Sequence, residues 1–143
     1  MTSVVRTYGI ATWGTFSPVV QGGTTEGSGA IYTQNVGVFV SRDGIASLQF
    51  RTTYSNLIGG VGNLWVRLPG VPLPSFETPV TFWFQGVALG LGAGETLQAT
   101  IVNIDSMAII RFFVVDLAGG GAAVAVDVPT SADIGGSVVY HSS

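Results

Sequence analysis

Val36-Gly37-Val38-Phe39-Val40-Ser41-Arg42-Asp43-Gly44-Ile45-Ala46-Ser47-Leu48-Gln49-Phe50-Arg51-Thr52-Thr53-Tyr54 decides the fold class. Asp43-Gly44 divides two runs of strand-forming residues. That dipeptide supplies the positive φ angles of a type I′ turn, so 36–54 reads as a β-hairpin. In the second run Ile45, Ser47, Gln49, Arg51 and Thr53 share one face, and Ala46, Leu48, Phe50, Thr52 and Tyr54 the other. One face is polar and one apolar, the pattern of a sheet with one side on a core.

The same grammar runs outward along the chain. Gly and Pro, 21 and 6 in number, cut it into short segments rich in Val, Ile, Phe, Tyr and Thr, which suit a pleated, half-buried surface. Predicted strands are Thr15–Gln21, Ala30–Thr33, Val36–Ser41, Ile45–Tyr54, Leu64–Arg67, Val80–Leu89, Thr96–Ile104, Met107–Val115 and Ile134–Tyr140, with Val4–Thr12 and Ala122–Val126 as weaker ones. Asn103-Ile104-Asp105-Ser106 reads as a second hairpin turn. The proline-rich stretch Leu68–Pro74 is a loop or an edge cover, and Gly119–Gly121 a flexible connection. No helical periodicity is sustained over three turns. The fold class expected is all-β: an antiparallel β-sandwich, jelly-roll-like. Residues 1–143 form a single domain, with 1–12 as an N-terminal arm.

Composition narrows the function. Charged residues are 9% of the 143, against about 25% in ordinary soluble domains. All five basic residues are arginine, and mean hydropathy is +0.53. A chain so poor in charge is expected to cover much of its surface with copies of itself or a larger assembly. No basic face offers itself to nucleic acid. No apolar run approaches the ~20 residues of a membrane span. The absence of cysteine removes disulfides, thiolate metal sites and cysteine nucleophiles.

Chemistry is hard to find. His141, the one histidine, lies in a tail expected to fray. Gly27-Ser28-Gly29 is a turn and not a nucleophile elbow. Gly90-Leu91-Gly92-Ala93-Gly94 leads into a strand and not a helix, so it is a hairpin loop and no phosphate cradle. The eight acids are Glu26, Asp43, Glu77, Glu95, Asp105, Asp116, Asp127 and Asp133. They fall mostly in turns or at strand ends; Asp116 and Asp127, flanking the glycine loop, are the pair that could approach each other. The sequence therefore predicts no catalytic residue, no cofactor and no metal.

Interface residues stand out more. Ile109-Ile110-Arg111-Phe112-Phe113-Val114-Val115 is apolar on both faces. A strand of a two-layer domain has one core to face, so its other side expects cover from a loop or another subunit; Ile110 and Phe113, on alternate faces, are the candidates, and the sequence does not decide which face makes the interface. In Phe82-Trp83-Phe84, alternation sends both phenylalanines to the core and Trp83 to the second surface. Arg51 and Arg67 lie on predicted strands, and each expects a carboxylate or carbonyl partner, within the subunit or across an interface. Exposed aromatics such as Trp83 suit either protein contacts or glycan stacking.

The order of several motifs carries a resemblance. Trp13…Phe16-Ser17-Pro18-Val19-Val20 resembles the W-T-P-x-L/V opening of small β-sandwich domains in bacteriophage tail fibres and other virion proteins. Gly29–Gly44, which contains Tyr32-Thr33-Gln34-Asn35-Val36-Gly37, is similar to their Y-T-x-Q-x-G-x-Y-x-R-x-G stretch. Gly62-Asn63-Leu64-Trp65-Val66-Arg67-Leu68-Pro69 is similar to G-N-L-x-I-x-x-L-P, and Ile134–Tyr140 to a closing strand I-x-x-S-x-x-Y. The resemblance implies a virion location and trimeric assembly, without catalysis. Such domains usually cap a fibre shaft, and no shaft, collagen-like or coiled-coil segment is visible here. The expected role is therefore a capsid decoration (cement) protein, a homotrimer bound to the major capsid protein on the outer virion surface. The alternative is a receptor-binding tail-fibre or appendage module that grips a host surface glycan.

Overall fold

The computed structural model describes residues 10–85, 91–116 and 123–143. Eleven strands lie among them: β1 (Thr12–Phe16), β2 (Val19–Gly22), β3 (Ile31–Arg42), β4 (Ile45–Ser55), β5 (Leu64–Arg67), β6 (Thr78–Pro79), β7 (Thr81–Gln85), β8 (Glu95–Ile104), β9 (Met107–Asp116), β10 (Ala123–Ala125) and β11 (Ala132–His141). They form two packed sheets. Sheet A has the order β1-β3-β4-β11-β7. Sheet B has the order β2-β5-β9-β8-β6, with β10 beside β9. Every pairing is antiparallel. The protein is an all-β antiparallel sandwich.

The hairpin at Asp43-Gly44 forms as the alternation predicts. Asp43 and Gly44 have φ of 51° and 77°, and Arg42 faces Ile45 across the turn. Asp105 and Ser106 take φ of 51° and 61° in the β8–β9 turn. Along β4 every second residue, from Ala46 to Tyr54, is buried. These meet Leu64, Val66, Ile101, Ile110 and Phe112 of sheet B in one intersheet core. Phe112 stands edge-on to Phe82 and Phe84 across the sheets, at centroid distances of 5.3 and 5.7 Å. That contact fixes the parity of β7 and turns Trp83 outward.

Several expectations are corrected. The segment read as one strand, Thr15–Gln21, is two, and they belong to different sheets: β1 pairs with β3 and β2 with β5. Pro18 has no N–H to give a ladder, and the chain crosses from sheet A to sheet B there. Ala30–Thr33 and Val36–Ser41 are instead one strand, β3, carrying a bulge between Tyr32 and Gln34. Thr12 already belongs to β1. Residues 4–9 of the Val4–Thr12 segment, 86–89 of the Val80–Leu89 segment, and Gly119–Gly121 lie outside the described residues.

Ile110 is no surface residue. It is wholly buried and faces Val66 and Ile101 within the core. Its neighbour Ile109 points to the other side, yet is also buried in the single chain, in register with Arg67 and Val102. The second apolar face of β9 is thus covered at Ile109 by the chain's own side chains. His141 is not in a frayed tail either. It pairs with Ile45 in β11, its carbonyl accepts a hydrogen bond from Ser75 N–H at 2.8 Å, and its ring packs on Phe76. The proline-rich 68–74 stretch is a loop tied to the chain end: Tyr140 Oη donates to Pro72 O at 2.7 Å and Ser143 N to Leu73 O at 3.0 Å.

Candidate functional site

The outer face of sheet A has a polar strip along β4, flanked by exposed apolar side chains on the neighbouring strands. Cross-strand register sets its side chains in rows. Gln34, Thr53, Asp133 and Gln85 make one row, and Val36, Arg51, Gly135 and Trp83 the next. Val38, Gln49, Ser137 and Thr81 follow, then Trp13, Val40, Ser47 and Val139. Trp13 is 74% exposed and Trp83 41%; Val36, Val38, Val40 and Val139 are exposed as well. Exposed apolar side chains are clustered along β3, with Trp13 beside Val40, and Trp83 stands apart on β7.

Trp83 is held in place rather than merely exposed. It stands opposite Gly135, and a Cβ on Gly135 would fall inside the indole ring. The ring therefore covers the glycine backbone and leaves its other side to solvent. Asp133 anchors the surroundings. It accepts hydrogen bonds from Arg51 Nη2 at 3.2 Å, Arg51 Nε at 3.4 Å and Thr53 Oγ1 at 2.9 Å. These donors, Arg51 first, hold its carboxyl below the ordinary carboxylate range against the opposing effect of desolvation; Thr53 and the Trp83 indole add smaller hydrogen-bond contributions. Arg51 presents a planar fork in fixed orientation, and its charge is balanced by Asp133.

Two shallow hollows flank the indole. One, of about 230 Å³, is lined by Val36, Val38, Gln49, Arg51 and Trp83. The other, of about 360 Å³, is lined by Gln49, Thr81, Trp83 and Ser137. Gln49 borders both. The arrangement offers a flat π surface ringed by an amide, a guanidinium and hydroxyls. A pyranose presents a C–H face and a ring of hydroxyls, and such a platform matches both.

Of the sequence candidates, Trp83 and Arg51 come together here. Arg67 and Phe113 lie on the other sheet, Phe113 half-buried between Gln98 and Ala125 in register, and Ile110 lies in the core. Sequence reasoning missed Asp133, Gly135 and Gln49. The signal for Gln49 and Asp133 was faint: each is a polar residue at an outward strand position. Gly135 could be found only by knowing what it faces. Among the described residues no three of His, Cys, Asp and Glu cluster as metal ligands. Asp116 ends β9 opposite Glu95, and Asp127 bridges to Asn63.

No family model matches the chain, and no curated protein is significantly similar to it. Among solved structures it is similar to the crystal structure of the Dettilon tailspike protein, with a TM-score of 0.59 and 20% sequence identity. The match covers 92% of this chain and 24% of that one, so the chain spans about a quarter of the tailspike's length. The likeness is one of fold: the same two-layer β architecture, built from a largely different sequence.

Proposed function

We propose that the chain is a non-enzymatic binding module of a bacteriophage tail appendage, holding a host surface glycan on the outer face of sheet A. The observation that carries this is the Trp83 platform: an indole seated on Gly135 and bordered by Gln49 and Arg51. Rigid aromatic platforms bind well because little ordering is needed when the ligand arrives. The likeness to part of a tailspike supports a virion setting, and favours the tail over the capsid shell. A cement role draws no comparable support.

A contact role also suits the acid at the site. A glycosidase needs a carboxylic acid with a raised pKa and a second carboxylate across the bond. Asp133 is shifted the other way, and its partners in register are Thr53 and Gln85. Self-association into a trimer belongs to the same proposal. It is supported by the exposed side chains of Trp13, Val40 and Val139, which share one row outside the two Trp83 hollows, in a chain with so few charges.

The test is an array of host-surface polysaccharides probed with the purified protein and with Trp83→Ala. Binding of a defined glycan, weakened at least tenfold by the substitution while the fold is kept, is the expected result. Competition of phage adsorption by the purified protein would follow. Failure to bind any host glycan, together with immunogold labelling of heads and not tails, would return the role to the capsid surface.

A further inference from the structure

The four arginines among the described residues are not alike. Arg42 lies 3.5 Å from Asp43, Arg51 3.2 Å from Asp133 and Arg111 2.8 Å from Glu77. Arg67 has no carboxylate partner among the described residues. Its Nη1 reaches Met107 Sδ at 3.8 Å, and its Nε is buried with no acceptor. A thioether is a weak acceptor, and a guanidinium keeps its proton at any ordinary pH. A full positive charge therefore sits half-buried among apolar neighbours, with Val19 and Ile109 beside it in register. Leaving such a donor unmatched is unfavourable.

The position is concave. Arg67 ends β5 on the outer side of sheet B, where the chain enters the proline-rich loop and the β8–β9 turn comes close. Leu68, Val71, Leu73, Ser106 and Met107 join it in lining a cleft of about 420 Å³, within the size range of small-molecule sites, roughly 300–1,000 Å³. Asp105, in the neighbouring turn, neither lines the cleft nor pairs with Arg67.

The geometry points to this cleft as a binding site for the carboxylate of an acidic sugar unit. The Nη end of the Arg67 guanidinium, and not its buried Nε, is the part that can meet a planar carboxylate. Ser106 in the lining carries a hydroxyl suited to a sugar oxygen, and the apolar walls suit the carbon face of a ring. The apolar lining favours a carboxylate carried on a sugar ring over inorganic phosphate, which has no carbon face to bury. A cleft of this depth favours a small ligand over the flatter surface of a second copy. The site lies on the sheet opposite Trp83 and stands or falls separately from the glycan reading of that face.

Amide NMR titration of the whole protein with glucuronate, glucose and inorganic phosphate tests it, with sedimentation run alongside. Glucuronate should shift the amides of residues 67, 68, 70, 71 and 106–108. Glucose should leave them in place, and phosphate should act at least tenfold more weakly. Arg67→Gln should lose the response at least tenfold, Arg67→Lys should keep part of it, and Met107→Leu should keep it whole. Because Arg67→Gln could perturb the fold, its spectrum must first overlay the parent outside the cleft; if it does not, Arg67→Lys carries the comparison. Equal shifts with glucose, preference for phosphate, shifts confined to sheet A, or no response to glucuronate would each overturn the proposal. So would an oligomer that dissociates on Arg67→Gln, which would make a second copy the occupant.

Discussion

Trp83 lies across Gly135, its six-membered ring filling the space where any other residue would carry its Cβ. The two face each other in adjacent strands, β7 and β11, and a glycine beneath an aromatic is what lets the ring rest on the sheet. The pair makes the stacking surface, so the glycine is as much part of the site as the tryptophan.

Gly135→Ala should therefore lift the indole off the sheet. Glycan binding should fall at least tenfold, and tryptophan emission should shift to the red as the ring enters water. The sandwich itself should survive, since the displaced group is at the surface. Emission spectra and thermal melts of the purified variant check both outcomes.

Asp133 makes stability pH-dependent. Its pKa is depressed in the folded state by Arg51, Thr53 and Trp83. A depressed carboxylate stabilises the fold fully above its unfolded pKa of about 4, and that contribution is lost as pH falls from there through the folded value. Asp133→Asn should thus be less stable than the parent from neutral pH down to about pH 4, with the difference closing below. Urea unfolding of both proteins from pH 7 to pH 2 gives the comparison.

Phe112→Ala removes the ring that Phe82 and Phe84 pack against across the sheets. Truncating a buried phenylalanine of this kind costs about 3–5 kcal/mol. Chemical denaturation should show a loss in that range, and loosening of β7 should weaken the Trp83 site with it.

Thr52 offers the opposite sign. It is wholly buried on the inner face of β4, opposite Asn35, and its Oγ1 has no hydrogen-bond partner. A buried polar atom left unmatched costs about 1–3 kcal/mol. Thr52→Val keeps the branched shape and removes the hydroxyl, so it should raise stability by about 1 kcal/mol, measured by the same denaturation experiment.

Gly44→Ala probes the hairpin turn. Gly44 sits at φ 77°, and an L-residue held in the left-handed region costs roughly 1–2 kcal/mol. The variant should lose about that much in denaturation while its spectrum stays that of an all-β protein.

How far the sequence could be read follows from what each residue's neighbours are. The β3–β4 hairpin was legible because its pairing is local, and Asp43-Gly44 names the turn. Trp83 was placed outward because Phe82 and Phe84 set the parity. Ile110 was misplaced because β9 is apolar on both faces, and alternation alone cannot say which face meets the core. The Phe112 contact with β7 decides it. The sheet change at Ser17-Pro18 was signalled by the proline and read through as one strand. Gly135 was out of reach and Asp133 only faintly signalled, since their meaning comes from strands that only the register of β11 brings beside them.

That register also orders events in time. β11, the last of the described strands, lies between β4 and β7, and Thr53 meets Asp133 across 80 residues of chain. On the ribosome the β3–β4 hairpin and β7 emerge with nothing to join them, each showing an unpaired edge to other nascent chains. Sheet A can close only after residues 132–141 have cleared the exit tunnel, so the joining of its two halves waits on β11. Expression at lower temperature or with a trigger-type chaperone should raise the soluble yield, and a stop codon before Ala132 should leave an insoluble product with no folded core.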